Sequence, residues 1–163
     1  MLPEAHSYNA TYNVSFRMGE TVLVPVDGSP LSYRALRHGL EKFPDAELVV
    51  LHVTDVFEPW TGLDDDAIYE HEFGSSEWRA MEDEVTDDVF ARAEEIAGEY
   101  DVEITTRAER GDPQRLIPEF ARERDIDHVI LGVHGREDAE RSLFGRVAET
   151  VVFRSPVPVT VIR

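Results

Sequence analysis

Three glycines in the last third of the chain have a spacing that suits the binding of an anion. Two residues separate Gly132 from Gly135, nine separate Gly135 from Gly145, and a segment of helical periodicity follows. Glycine lets a phosphate approach the backbone with no Cβ in the way and permits positive φ, so that successive N–H groups can point at one anion. A helix N-terminus near Gly145 would add its unpaired N–H groups. The spacing predicts a phosphate-binding loop, and the alternative is that the glycines only shape a tight turn.

Asp27 is the second group that could hold a ligand. It follows the apolar run 21–26 and precedes Gly28. Its carboxylate can accept hydrogen bonds from an adenine amino group or a ribose hydroxyl. The alternative is that it merely caps the helix that begins there. Among the histidines, His134 lies inside the glycine loop, where it either contacts the ligand or stabilises the loop, whereas His52 and His128 lie in predicted strands and are assigned to the core.

Other chemistries lack their motifs in this chain. Three adjacent residues, Glu70-His71-Glu72, do not converge easily on one metal ion, and Asp64-Asp65-Asp66 lacks the alternate spacing of a calcium loop. No Gly-x-Gly-x-x-Gly follows the first strand, and Lys42, the single lysine, is in no P-loop context. We therefore predict no metal site and no catalytic residue.

The charge of the chain indicates its solvent and limits its partners. Thirty-four acidic residues face sixteen basic ones, giving a net charge of −18, which repels nucleic acid and anionic membranes. Lys42 is the only lysine among the basic residues. A carboxylate-rich surface nearly free of lysine favours a salt-rich cytoplasm, where screening removes self-repulsion; the alternative is an ordinary acidic protein. With neither a secretory pattern at the start nor a long apolar run, we expect a cytoplasmic location.

The elements that must position these groups follow from periodicity. Apolar runs predict strands at 21–26, 48–53, 102–106, 128–131 and 157–162, and helical spacing recurs between them. Asp112 before Pro113 predicts a capped helix start after the third strand. Connections of this length require parallel strands. The chain therefore predicts an α/β fold, a three-layer doubly wound open sheet of five mostly parallel strands in the order 3-2-1-4-5, with helices on both faces.

The domain organisation is simple. Residues 1–20 form a polar N-terminal extension, and 21–163 form one domain, within which 54–76 is an irregular acidic insertion. Ligands in such sheets bind outside the carboxyl ends of strands where the strand order reverses. If the first and fourth strands are neighbours, Asp27 and the glycine loop border one crevice.

Four segments in register give the chain a family resemblance. These are the glycine spacing from Gly132 to Gly145, the run 24–29 (VPVDGS), Gly111-Asp112-Pro113, and the run 156–159 (PVPV). Over residues 21–163 the chain resembles the universal stress protein superfamily. The resemblance implies a nucleotide pocket, and with the first turn of the last helix the candidate binding residues are Pro25, Val26, Asp27, Val53, Gly132, His134, Gly135, Gly145, Arg146 and Val147.

Arg146 departs from the pattern of that superfamily. Members that bind ATP have a small hydroxyl residue there, which donates to a terminal phosphate. Arginine can reach phosphate bidentately, pair with surface carboxylates, or fill the space of the triphosphate. ATP is therefore in doubt as the ligand, while ADP or AMP, with or without magnesium, fits the expectation.

The resemblance also implies a function and a partner. We expect an adenine-nucleotide-binding sensor or adaptor of the stress response, and a homodimer formed through the C-terminal strand 157–162. The alternatives are a nucleotide-free dimeric signalling module and a slow ATP hydrolase. We expect no nucleic acid and no membrane among its partners.

Overall fold

Strands and helices alternate along residues 19–56, 74–133 and 145–163, which are the residues that the computed structural model describes. The elements are β1 (Thr21–Pro25), α1 (Pro30–Lys42), β2 (Glu47–Asp55), α2 (Ser76–Gly98), β3 (Thr105–Gly111), α3 (Pro113–Glu123), β4 (His128–Gly132), α4 (Arg146–Arg154) and β5 (Val159–Ile162). Each helix and strand expected from the sequence is present, although some of the boundaries differ.

The strands form one sheet in the order β3-β2-β1-β4-β5, and every neighbouring pair is parallel. The predicted α/β fold and strand order are confirmed. From β1 the chain passes through α1 to β2 on one side, whereas β4 joins β1 on the other side. The strand order therefore reverses between β1 and β4, which is where open sheets of this class bind ligands.

Helices cover both faces of the sheet, and alternate residues of β1 explain why. Val22 and Val24 are buried in a first core cluster with α1 and α2, while Leu23 is buried in a second cluster with α3 and α4. A strand covered on both faces has no solvent side, so its sequence is apolar nearly throughout. The three-layer arrangement is confirmed.

Two helices begin directly after a residue whose side chain caps the helix N-terminus. The side chain of Asp112 accepts a hydrogen bond from the Gln114 N–H at 2.9 Å, and Pro113 is the first helical residue. The predicted cap of α3 is confirmed. Ser29 does the same for α1, because its Oγ accepts from the Ser32 N–H at 3.2 Å.

The bounds of the third and last strands differ from those expected from the sequence. β3 was expected at 102–106 but runs over Thr105–Gly111, because Val102 and Ile104 pack against the first core cluster before the strand begins. β5 is shorter than the expected 157–162, since the strand begins at Val159. Pro158 lies outside it.

Parts of the predicted organisation lie outside the described residues. These are the N-terminal extension up to residue 18 and residues 57–73 of the expected insertion. At the start of the insertion, Thr54 and Asp55 still belong to β2, and at its end Ser76 already belongs to α2. Among the described helices, none combines the length and apolar character that a membrane-spanning helix needs.

Candidate functional site

The carboxyl ends of β1 and β4 meet at the same edge of the sheet. Val22 of β1 is paired with His128 of β4, and Leu23 with Val129. Counting onward in the same register places Val26 alongside Gly132 and Asp27 alongside Val133. The predicted site residues after these two strands therefore converge on one region, which we call the β1–β4 crevice: residues 25–27 on one side, and Gly132, Val133 and Gly145 on the other.

Asp27 is exposed at the β1 side of the crevice and forms a turn. Its Oδ1 accepts a hydrogen bond from the Ser29 N–H at 2.9 Å, and Gly28 between them has a φ of +85°. The helix cap is Ser29, so the alternative that Asp27 caps α1 is wrong. A carboxylate has about four acceptor positions, and this turn uses one of them.

Gly132 is required for a close approach of two backbones. A Cβ at Gly132 would lie 2.7 Å from both the carbonyl carbon and the carbonyl oxygen of Leu31. The first turn of α1 therefore rests directly on the end of β4. The positive φ expected of the loop glycines is absent from Gly132, and the φ of Gly145 is −61°. At Gly132 the need for glycine comes from packing.

Gly145 returns the chain to the end of β4. Its N–H donates to the Val133 carbonyl at 3.0 Å, and it caps α4 without any side-chain hydrogen bond. Arg146, the first residue of α4, is exposed, whereas Val147 packs against the second core cluster. The N–H groups and positive dipole end of α4 thus lie beside β4, as an anion site requires.

His52 of β2 holds the end of β1 in place through a hydrogen bond to its backbone. It is buried, and its Nδ1 lies 2.8 Å from the Val26 carbonyl oxygen. Because a carbonyl can only accept, Nδ1 carries the proton. Burial lowers the pKa of His52, so the ring is neutral at neutral pH. The assignment of His52 to the core is confirmed, and its hydrogen bond holds the backbone next to Asp27.

His128, the other histidine assigned to the core, is half-buried on β4. Its Nε2 lies 2.7 Å from the Thr160 hydroxyl of β5, and its ring contacts that of Phe43. Its contacts are structural and tie β4 to β5.

Two further candidate binding residues, Pro25 and Val53, lie near the carboxyl ends of β1 and β2. Pro25 is half-buried on β1 and is paired with Leu51 of β2. Val53, also half-buried, packs against the second core cluster.

Of the remaining candidates, His134 and Gly135 lie outside the described residues. In the described ranges, no group of three or more histidine or acidic side chains could hold a metal ion, and the segments 64–66 and 70–72 lie outside those ranges.

One buried polar cluster was missed from the sequence. Glu82 of α2 is buried, and its Oε1 accepts from the Trp78 indole N–H at 2.9 Å. Arg110 of β3 forms an ion pair with its Oε2, without the angles of a hydrogen bond. The spacing of Trp78 and Glu82 puts them on one helix face and was the available signal. The cluster joins α2 to β3, which is separated from β1 by β2.

Comparison with known proteins gives one consistent family. A model described as the universal stress protein family matches residues 18–163. Universal stress protein MJ0531 of Methanocaldococcus jannaschii is 32% identical over 160 residues, covering 93% of this chain and 88% of that protein. The solved structure of hypothetical protein MJ0577 is similar at a TM-score of 0.66 and 26% identity, over 89% of this chain and 96% of that one. A universal stress protein family member from Arabidopsis thaliana with AMP bound has a TM-score of 0.62 at 20% identity, over 88% and 90% of the two chains.

Proposed function

We propose that this chain, which belongs to the universal stress protein family, binds an adenine nucleotide in the β1–β4 crevice and acts as a nucleotide-dependent sensor or adaptor. The hydrogen bond between the Gly145 N–H and the Val133 carbonyl, at 3.0 Å, carries the proposal. It brings the N-terminus of α4 to the edge of the sheet where Asp27 is exposed. An anion-binding group and a hydrogen-bond acceptor then face one crevice.

Asp27 is the group proposed for the nucleoside. Its carboxylate is exposed and uses one acceptor position for the Ser29 N–H, which leaves positions for an adenine amino group or a ribose hydroxyl. Universal stress proteins of this fold have been solved with AMP, cAMP and dAMP. At 20 to 22% identity these structures share the fold with this chain, so the ligand is transferred here as a proposal.

The phosphates are assigned to the first turn of α4. The backbone N–H groups of Arg146 and Val147 lie in that turn, with no side chain of the cap competing for them. The exposed Arg146 guanidinium suits one phosphate bidentately and crowds a longer chain. We therefore propose AMP or ADP over ATP. Mg²⁺ bound together with the nucleotide stays a prediction.

The test is to identify what the protein carries. Mass spectrometry of small molecules released on denaturation should find AMP or ADP, and phosphate release from added ATP should stay at the level of a protein-free blank over hours. Protein that carries no nucleotide and binds none favours the nucleotide-free dimeric module, while steady phosphate release favours the hydrolase. Arg146→Ser should raise the ratio of ATP to AMP affinity; an unchanged ratio would show that Arg146 points away from the phosphates.

A further inference from the structure

A concave surface lies between α1 and the end of β5. This groove has a volume of about 520 Å³. It is lined by Arg34, Arg37, His38, Glu41, Val161, Ile162 and Arg163, and we call it the α1–β5 groove. None of these residues belongs to the β1–β4 crevice, so the groove requires its own explanation.

Two of the charged side chains in the groove already have partners. The Arg37 guanidinium binds both oxygens of Glu99, the residue directly after α2, at 2.5 and 3.2 Å, and this pairing raises the pKa of Arg37. The single carboxylate of the lining, Glu41, accepts a hydrogen bond from the Tyr100 hydroxyl at 2.9 Å. These contacts join α1 to α2 and are structural.

The other three basic side chains are unused within the described ranges. Arg34, His38 and Arg163 have no hydrogen bond or ion pair with any residue of 19–56, 74–133 or 145–163. The chain carries 34 acidic residues against 16 basic ones, so a carboxylate partner is available to most cations. Arg34 and His38 lie on successive turns of one helix face, and Arg163 directly follows the adjacent strand β5.

We propose that the α1–β5 groove binds a small phosphate monoester with an apolar body. The planar guanidinium groups of Arg34 and Arg163 match the oxygens of a phosphate, and a phosphate can accept from several donors at once. Ile162, whose side chain lies on the α1 face of the sheet, supplies an apolar wall for the rest of the molecule. Because the net charge of −18 repels anions, binding there depends on this local set of cations. The site is additional to the nucleotide crevice and does not rest on the proposed function.

Phenyl phosphate is the probe for this groove, with inorganic phosphate as the comparison. Calorimetry on the full chain should find saturable binding of phenyl phosphate to the wild type and, with unchanged affinity, to Arg146→Ser, whose substitution lies at the nucleotide crevice. Phenyl phosphate should bind more tightly than inorganic phosphate, because the ring contacts the apolar wall. Arg34→Gln should weaken binding of phenyl phosphate roughly tenfold through the lost charged hydrogen bonds. Arg122→Gln, at an exposed arginine of α3 outside the groove, is the matched control and should bind like the wild type.

Three results would overturn the proposal: no saturable binding of phenyl phosphate, equal weakening by Arg34→Gln and Arg122→Gln, or binding that Arg146→Ser abolishes and Arg34→Gln leaves unchanged. The last two would reveal general charge attraction or binding in the nucleotide crevice. A failure of AMP to bind would contradict the proposed function alone, because the phenyl phosphate titration is performed separately. Since β5 is also an edge of the sheet, light scattering on the same samples fixes the oligomeric state at which binding is measured.

Discussion

Gly132 and Leu31 are in backbone contact, with 2.7 Å between the position of a Cβ on Gly132 and the Leu31 carbonyl carbon and oxygen. The contact joins the end of β4 to the first turn of α1. That turn follows Asp27, Gly28 and the Ser29 cap directly, so the orientation of the β1 side of the crevice depends on a glycine in β4.

Gly132→Ala should therefore destabilise the fold. The new methyl group would meet backbone atoms, which cannot rotate away as a side chain can, and overpacking of this kind costs about 1–3 kcal/mol. Urea denaturation measures the loss. Gly98→Ala is the matched control, because a Cβ at Gly98 meets nothing within 4 Å and the added side chain should leave stability unchanged or slightly higher. Equal stability of the two variants would contradict the packing role of Gly132.

The strands that could be predicted accurately are those buried on both faces. β1 and β4 read as apolar runs because α1 and α2 cover one face and α3 and α4 the other. β3 is an edge strand whose residues 107–110 are exposed, so its sequence, Arg-Ala-Glu-Arg, has no apolar pattern. β3 is defined by its backbone pairing with β2. Such pairing cannot be recognised from a pattern of apolar residues in the sequence.

The position of the candidate site could be predicted from the sequence, but the physical reason for some of its residues could not. Residue types and fold class placed Asp27 and Gly132 at neighbouring strand ends. The reason for glycine at 132 could not be derived, because it depends on the distance between two elements that are far apart in sequence. Glu82 was missed for a similar reason: the burial of a carboxylate depends on Arg110, which comes from another element.

The neutral, buried His52 should make stability depend on pH. Burial holds its folded pKa below the ordinary value of 6.5. Between 6.5 and the folded pKa, the unfolded chain takes up a proton that the folded chain refuses. The free energy of unfolding should therefore fall as the pH falls below 6.5, by at most about 1.4 kcal/mol per pH unit from this group.

The comparison that isolates this effect is with His52→Gln, which keeps a donor for the Val26 carbonyl. Urea denaturation at about pH 8 and about pH 5.5 should give a larger loss of stability in the wild type than in the variant. All other ionisable groups are the same in both proteins, so their effects cancel. Equal losses would show that His52 accepts a proton in the folded state.

The acidic surface should make stability rise with salt concentration. Much of the charge lies on α2, whose exposed acidic side chains are Glu77, Asp83, Glu84, Asp87, Asp88, Glu94 and Glu95. Salt screens the repulsion among them. The melting temperature should increase between about 0.1 M and about 2 M potassium chloride, and the double substitution of Asp83→Asn and Asp87→Asn should reduce the increase. A flat or falling melting temperature would contradict the proposed adaptation to salt.

Among the described residues, no strand pairs with the outer edge of β5, and we expect that edge to pair with a second copy of the chain. The carbonyls of Pro158 and Ile162 accept hydrogen bonds from the N–H groups of Val129 in β4 and of Val133 directly after it, each at 3.0 Å. Because successive peptide groups of a strand alternate in direction, Val159 and Val161 present their N–H and carbonyl groups to the open side. A twofold axis beside β5 would pair these groups antiparallel with their own copies.

Val159→Pro removes one outward N–H and no hydrogen bond to β4, so it should convert a dimer into a monomer. Val159→Thr keeps the N–H and should remain dimeric. Light scattering gives the mass of each protein, and circular dichroism checks that both are folded. A monomeric wild-type protein at tens of micromolar in high salt would rule out the dimer, and so would a Val159→Pro variant that stays dimeric.

The central claim, an adenine nucleotide in the β1–β4 crevice, is tested most directly by calorimetric titration with AMP. The substitution to compare is Asp27→Asn, because it keeps Oδ1 as acceptor for the Ser29 N–H but replaces the other acceptor oxygen with an amino group. Asp45→Asn, at an exposed aspartate after α1, is the matched control for lost charge. We predict saturable binding of AMP to the wild type and to Asp45→Asn, with binding to Asp27→Asn weakened roughly tenfold. No saturable binding of AMP to the wild type, or equal affinity in all three proteins, would contradict the claim.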